Sequence, residues 1–302
     1  MFVVSLSCDP GIGRAVAAEA GWRYCEAVRK VFPDGERYVR IPEDCSLKGE
    51  RAVVVQSMYP NQDSMMVEAL LAADALKGVT GLEPIAVVPY LAYARQDRVF
   101  LSGEAVSVRA VLRALHSAGY GGLVVLDVHK EDSLKHFRGT SVNVLPVNTL
   151  AKALKGVVER PLVISPDKGA ARRAEALSRA LGTEYRIVEK FRDRFTGEIR
   201  HRFAPMPEIR GRDVIVVDDI VSTGGTMASV VSFLREQGAR KVFVAVSHGP
   251  LTKKALARLM DAGVTKIFSM ATTCYRLEHP LITYLKPVGE VLQAIKEVLG
   301  TG

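Results

Sequence analysis

The sequence predicts an α/β protein in two halves, each with a mainly parallel sheet flanked by helices. Three observations lead there. Short β-branched or apolar runs alternate with amphipathic stretches along the whole chain, the pattern of parallel strands joined by crossover helices. Two strand–loop–helix–strand segments, beginning at Arg51 and Arg212, look like copies of one another. The loops richest in functional groups follow strand-like runs, on the side where open α/β sheets bind ligands.

Taken in order, residues 2–6 read as a strand and 11–20 as a helix. Residues 52–56 form a buried strand, 64–76 a helix, 84–89 a strand, 106–118 a helix and 123–127 a strand. The second half opens with a strand at 162–165 and a helix at 170–181. A β-branched run at 214–217, a helix at 227–236 and a strand at 241–246 follow. The last helix, 288–299, can pack on either half. The boundary falls near Pro146 to Asn148, giving domains 1–146 and 147–302. In the first copy, Ser57-Met-Tyr-Pro-Asn-Gln-Asp stands where the second carries a glycine-rich loop, so one half has kept a ligand loop and the other has lost it.

Bulk composition narrows the class. With 302 residues, 48% hydrophobic and 25% charged, the chain is an ordinary globular protein with room for two domains. No apolar run approaches the roughly 20 residues of a membrane span, and the start lacks a basic region ahead of a long apolar stretch. A cytoplasmic protein without a membrane partner is expected. The net charge of +8 suits anionic substrates, but the basic residues are scattered and not interleaved with aromatics, so no nucleic acid is expected. Cys8, Cys25, Cys45 and Cys274 form no CxxC pair, which argues against zinc and for ordinary reduced thiols. Asn61, Asn143 and Asn148 are the only asparagines. With heavy arginine use, that scarcity hints at a thermophile, in which a stabilising disulfide would be less unexpected.

The most informative stretch is Asp213 to Thr226. The run 214–217 is followed by Asp218 and Asp219, then by Ser222, Thr223, Gly224, Gly225 and Thr226, then by a helix. Glycines let backbone amides approach a phosphate, and the helix start adds donors and a positive dipole end. The three hydroxyls can donate to the same anion. The carboxylates would repel it, so they suit vicinal sugar hydroxyls, a divalent cation, or both. A sugar phosphate fits this loop better than a triphosphate tail.

Other candidates stand at turns and strand ends. Phe32 could stack on a base, and Asp34 and Glu36, flanking Gly35, could accept from an exocyclic amine, although Pro-Asp-Gly alone is a good turn. After the 84–89 strand, Arg95 offers a planar fork for phosphate, with Gln96 and Asp97 beside it. His129 and Asp167, each at a strand end, could hold Mg²⁺ completed by phosphate oxygens and water. Lys190 and Arg192 alternate in a charge-rich segment, so an extended hairpin would aim both at one face.

The 213–226 segment resembles the phosphoribosyl-pyrophosphate loop of type I phosphoribosyltransferases and ribose-phosphate pyrophosphokinases. Phe-Pro-Asp-Gly-Glu, Tyr-Ala-Arg-Gln-Asp-Arg, Asp-Val-His, Pro-Asp-Lys-Gly and Glu-Lys-Phe-Arg precede it in the order found in the pyrophosphokinases, from Phe32 to Thr226. The resemblance implies two tandem type I phosphoribosyltransferase-like domains, the first with a degenerate loop. It implies transfer of the diphosphate of Mg-ATP to the 1-hydroxyl of ribose 5-phosphate, leaving AMP. Phe32, Asp34, Gly35, Glu36, Arg95, Gln96 and Asp97 would bind ATP. Arg192, Asp218, Asp219 and Ser222 to Thr226 would bind ribose 5-phosphate. His129 and Asp167 would bind Mg²⁺, and Lys190 and Arg192 would be the catalytic pair on a flexible loop. A homo-oligomer built from dimers is also implied. Ser222 stands where an aspartate is usual, and residues 130–135 replace a glutamine-rich stretch. Both departures look like the archaeal branch and put carry-over of bacterial phosphate and ADP regulation in doubt. The alternatives are a phosphoribosyltransferase consuming the product, or a non-catalytic partner of the synthetase. A non-catalytic partner should lack the Lys190/Arg192 pair.

Overall fold

The computed structural model describes residues 1–45, 48–188, 190–192 and 201–300, with residues 190–192, 201 and 202 described by their backbone alone. The chain forms two compact units. Unit 1 comprises Met1–Leu145, Ala271–Tyr275 and Lys286–Gly302, and unit 2 comprises Pro146–Met270 and Arg276–Leu285.

Unit 1 contains β1 (Phe2–Ser5), α1 (Ile12–Ala20), β2 (Arg23–Glu26), β3 (Val28–Val31), β4 (Arg37–Arg40) and β5 (Ala52–Val55). It continues with α2 (Gln62–Thr80), β6 (Ile85–Val88), α3 (Ser107–Ser117), β7 (Gly122–Leu126) and β8 (Thr140–Val144). Six strands form one sheet in the order β2-β1-β5-β6-β7-β8, every neighbouring pair parallel. All residues of β1, β5, β6 and β7 are buried, which is why these strands read as unbroken apolar runs. Alternate residues serve opposite faces. Val4 and Val54 pack with Ala72, Leu76, Leu112 and Leu115 of α2 and α3. Val3 and Val53 pack with Ile12 and Val16 of α1 and with Val291 and Ile295 of the last helix, Val288–Leu299.

Unit 2 contains α4 (Val147–Leu154), β9 (Leu162–Ser165), α5 (Ala171–Leu181), β10 (Tyr185–Ile187), β11 (Lys190–Arg192), β12 (His201–Phe203) and β13 (Asp213–Ile220). It ends with α6 (Gly225–Glu236), β14 (Lys241–His248), α7 (Lys253–Asp261), β15 (Lys266–Met270) and β16 (Ile282–Leu285). Its sheet, β10-β9-β13-β14-β15-β16, is parallel and has the same order position by position as that of unit 1. Each unit adds one antiparallel hairpin, β3–β4 or β11–β12, directly after its edge strand. Ile215 and Val217 pack with α4 and α5 residues such as Leu150 and Leu177. Val214 and Val216 pack with Val230 and Leu259 of α6 and α7.

Several sequence expectations shift. The 84–89 strand is trimmed to β6 because Pro84 and Pro89, lacking an N–H, bracket it. Asp127 leaves β7 with φ of 44°, so that strand ends at Leu126. The ladder of β13 runs beyond 217 because β14 extends alongside it to the Ile220–His248 pair, so both acids lie inside the strand. Helix α6 starts at Gly225, two residues before the expected start. The expectation of reduced thiols is overturned. Cys8 pairs with Cys274 and Cys25 with Cys45, at Cα separations of 5.5 and 5.7 Å. Sequence spacing gave no sign of this, because the fold brings Cys8 and Cys274 together across 266 residues.

Candidate functional site

In unit 2 the functional groups gather at the carboxyl edge of the sheet. Because side chains alternate along β13, Asp219 shares the face of Ile215 and Val217, and Asp218 that of Val214 and Val216. Asp219 is buried, and its Oδ2 lies 3.8 Å from Nη2 of Arg173 on α5. The Asp219 N–H donates to Asp218 Oδ1 at 2.9 Å. Burial, and then the neighbouring Asp219 carboxylate, push the Asp218 carboxyl up to about 7, with a further contribution from Asp167.

Asp167 follows β9, the strand next to β13. Its Oδ1 accepts from the N–H groups of Gly169 (2.8 Å) and Ala170 (3.2 Å), while Ser165 Oγ donates to its carbonyl at 2.6 Å. The side chain therefore caps the turn that opens α5 and stands exposed at the edge.

The loop from β13 to α6 is tied at both ends. Val221 N–H donates to His248 O at 3.0 Å, and Arg258 Nη1 donates to Thr223 O at 3.1 Å. Gly224 is the N-cap of α6 at φ of 74°, and a Cβ there would sit 3.1 Å from the Ala255 carbonyl. Only glycine satisfies both conditions. No side chain caps α6, so its first amides are left to an incoming anion. A Cβ on Gly225 would meet nothing within 4 Å, and Thr223 and Thr226 are exposed beside that space. A phosphate has amides and hydroxyls here, and a sugar has Asp218.

Lys190 and Arg192 lie on β11, paired with Phe203 and His201 of β12. They occupy alternate positions on one strand, as the sequence predicts for a hairpin, but their side chains lie outside the description. Glu189 and residues 196–199 lie outside the described residues altogether.

In unit 1, the β3–β4 hairpin ends in a tight turn. Phe32 N–H donates to Glu36 O and Gly35 N–H to Phe32 O, both at 2.8 Å, and Asp34 Oδ1 accepts from Glu36 N–H at 3.2 Å. Gly35 takes φ of 96°. The Phe32 ring, half-exposed, meets Tyr38 edge-on at 6.1 Å, and Asp34 and Glu36 are exposed. An aromatic face and two carboxylates thus share one hairpin tip. The β3–β4 hairpin was not legible as strands, since its residues show no clean alternation of buried and exposed positions.

Arg95, exposed, and Gln96 and Asp97, half-buried, lie in the loop after β6. His129, half-buried, follows the adjacent strand β7 and so leaves the same sheet edge. Gln96 Nε2 donates to Arg98 O at 3.2 Å and Glu104 Oε2 at 3.4 Å, and Glu104 also accepts from the N–H groups of Phe100 and Leu101. Those backbone donors hold its carboxyl below the usual range. Sequence reading places Glu104 only in the stretch that opens the next helix and gives it no binding role; in the structure it lies ahead of α3 as the acceptor that ties this loop. After β5, where unit 2 has its glycine loop, Ser57 and Met58 are fully buried, and Gln56 is fixed by Cys8 N–H at 2.9 Å and Met65 O at 3.2 Å. That loop is closed by its own side chains. His129 belongs to unit 1 and Asp167 to unit 2.

Comparisons with known proteins agree on one family. Residues 1–119 match the model of the N-terminal domain of ribose phosphate pyrophosphokinase, and residues 147–278 match the phosphoribosyl transferase domain. The ribose-phosphate pyrophosphokinase of Sulfurisphaera tokodaii is 41% identical over 273 residues, covering 90% of this chain and 93% of that protein. Those of Aeropyrum pernix and Methanopyrus kandleri are 40% and 37% identical, covering 94% and 97% of this chain and 91% and 99% of theirs. Among solved structures, the phosphoribosylpyrophosphate synthetase from Mycobacterium smegmatis superposes with a TM-score of 0.87 at 28% identity, covering 100% of this chain and 99% of that one.

Proposed function

The chain belongs to the ribose-phosphate pyrophosphokinase family, and we propose that unit 2 holds ribose 5-phosphate while residues of unit 1 receive ATP. The enzyme is a diphosphokinase of nucleotide biosynthesis: ATP and ribose 5-phosphate give 5-phosphoribosyl 1-diphosphate and AMP. The match of residues 1–119 to a pyrophosphokinase-specific domain disfavours a plain phosphoribosyltransferase, and the names of the relatives disfavour a non-catalytic partner.

One observation carries the assignment: a strand with Asp218 near its carboxyl end runs through a hydroxyl-lined loop into the uncapped start of α6. In this reading the 5-phosphate takes the amides and hydroxyls of Ser222 to Thr226. Asp218 accepts from the sugar hydroxyls, and Asp219, held by Arg173, supports it from the opposite face. Phe32 stacks on adenine while Asp34 and Glu36 accept from its amine, and Arg95, Gln96 and Asp97 hold the rest of ATP. The anomeric hydroxyl attacks the β-phosphorus in line, and AMP departs. Positioning and charge neutralisation supply most of the acceleration. Lys190 and Arg192 bring two cations to the transferring group.

His129 and Asp167 would hold Mg²⁺, whose charge would neutralise phosphate oxygens. The donor set fits, since the exposed Asp167 carboxylate is a hard oxygen ligand and phosphates and water supply the rest. Assembly as a homo-oligomer built from dimers, and a place in the cytoplasm, complete the proposal. The Lys190→Ala variant tests it: turnover should fall by orders of magnitude while ATP affinity stays nearly intact. Unchanged turnover would remove the catalytic role from β11.

A further inference from the structure

We propose that unit 1 carries a second anion site, for a phosphate monoester, in the pocket between α1 and the start of the β3–β4 hairpin. The pocket has a volume of about 540 Å³, and Asp9, Arg14, Tyr24, Glu26, Arg29 and Lys286 line it. All belong to unit 1, and none belongs to the ribose 5-phosphate or ATP residues assigned above.

Charge in this pocket is unbalanced. Three cations face two carboxylates, and one of those is already committed. Asp9 accepts from the N–H groups of Gly11 (2.9 Å), Ile12 (2.8 Å) and Gly13 (3.1 Å) and from Ser5 Oγ (2.5 Å). It thereby caps α1, so the helix start is not the source of the anion affinity. Glu26 is left for two guanidinium groups, with Arg14 at 3.3 Å and Arg29 at 4.0 Å, and it also accepts from Tyr24 Oη at 3.2 Å. Lys286 has no carboxylate partner among the described residues, and its ammonium lies over the Gly11 backbone, where a Cβ would meet Nζ at 2.8 Å. An anion entering here would supply the missing counter-charge to Lys286 and a second acceptor for Arg14.

Shape narrows the ligand. The Arg14 guanidinium lies over the Tyr24 ring, 4.4 Å from its centroid, which holds its donor fork in one plane. The volume falls in the range of about 300–1,000 Å³ typical of small-molecule sites and leaves room beyond one phosphate group. The location agrees with the duplicated fold. Asp9 caps α1 as Asp167 caps the turn before α5, and Arg14 and Arg173 are each the third residue of those helices. Unit 1 has closed the loop after β5 with Ser57 and Met58, yet beside α1 it retains a capped turn, an arginine and an open pocket.

Equilibrium dialysis of the full-length protein with labelled orthophosphate and with glucose 6-phosphate tests the site. Wild type should bind more than one phosphate per chain. Arg14→Gln with Lys286→Gln should lose one of those sites or weaken it at least tenfold, with AMP-forming turnover retained. Lys286 is exposed, so Lys286→Gln alone should fold normally and weaken the same site several-fold. Unchanged stoichiometry and affinity in both variants would overturn the proposal. Glucose 6-phosphate should bind the site about tenfold more tightly than orthophosphate, and equal affinities would overturn the monoester assignment.

Discussion

The Arg173 guanidinium lies 3.8 Å from the Asp219 carboxylate, with only 12% and 9% of the two side chains exposed. A carboxylate this buried depends on its cation, because removing one half of a buried ion pair leaves a charge that burial disfavours. Arg173→Leu should therefore cost about 3–5 kcal/mol, as is usual when one half of a buried ion pair is removed. Urea unfolding measures it directly. A loss below about 1 kcal/mol would mean that the pair adds little to the fold.

The raised carboxyl of Asp218 makes stability and binding depend on pH in a defined direction. Its folded-state value, about 7, exceeds the ordinary carboxylate value of 3.8. Between these values the unfolded chain has released a proton that the folded chain keeps, so stability falls as pH rises through that window. Asp218→Asn removes the effect, and its melting temperature should exceed that of wild type more at pH 8 than at pH 5. Ribose hydroxyls need the ionised acceptor, so the wild-type KM for ribose 5-phosphate should rise as pH drops below about 7. A flat melting difference across this range would contradict the assignment.

The two disulfides should dominate the thermal stability of unit 1. Loop-closure entropy gives about 3 kcal/mol for a separation like the 20 residues of Cys25 and Cys45, and about 6 kcal/mol for the 266 of Cys8 and Cys274. Melting with and without a phosphine reductant should show a drop of at least about 10 °C. Cys8→Ser should account for more of it than Cys25→Ser. No change on reduction would show that the pairs add nothing to the folded state.

Much of this was legible from residue order, for physical reasons that also mark where legibility stopped. β1, β5, β13 and β14 announced themselves because both faces of each are buried, leaving continuous apolar runs. The glycine loop was legible because Gly224 serves a backbone that no other residue could form so close to Ala255. The hairpin β3–β4 was not, since Val28 to Arg40 mixes cations with half-buried apolar residues. The Cys8–Cys274 bond and the Arg173–Asp219 pair depend on approaches through space that no local spacing encodes. The same holds for the pocket beside Lys286, whose lining joins the first elements of the chain to the segment between β16 and the last helix.

The most direct measurement of the central claim is nucleotide analysis after incubating the purified protein with ATP, Mg²⁺ and ribose 5-phosphate. AMP should form only when the sugar phosphate is present, in step with 5-phosphoribosyl 1-diphosphate. ADP in place of AMP, or no turnover despite retained ATP binding, would contradict diphosphate transfer by this chain.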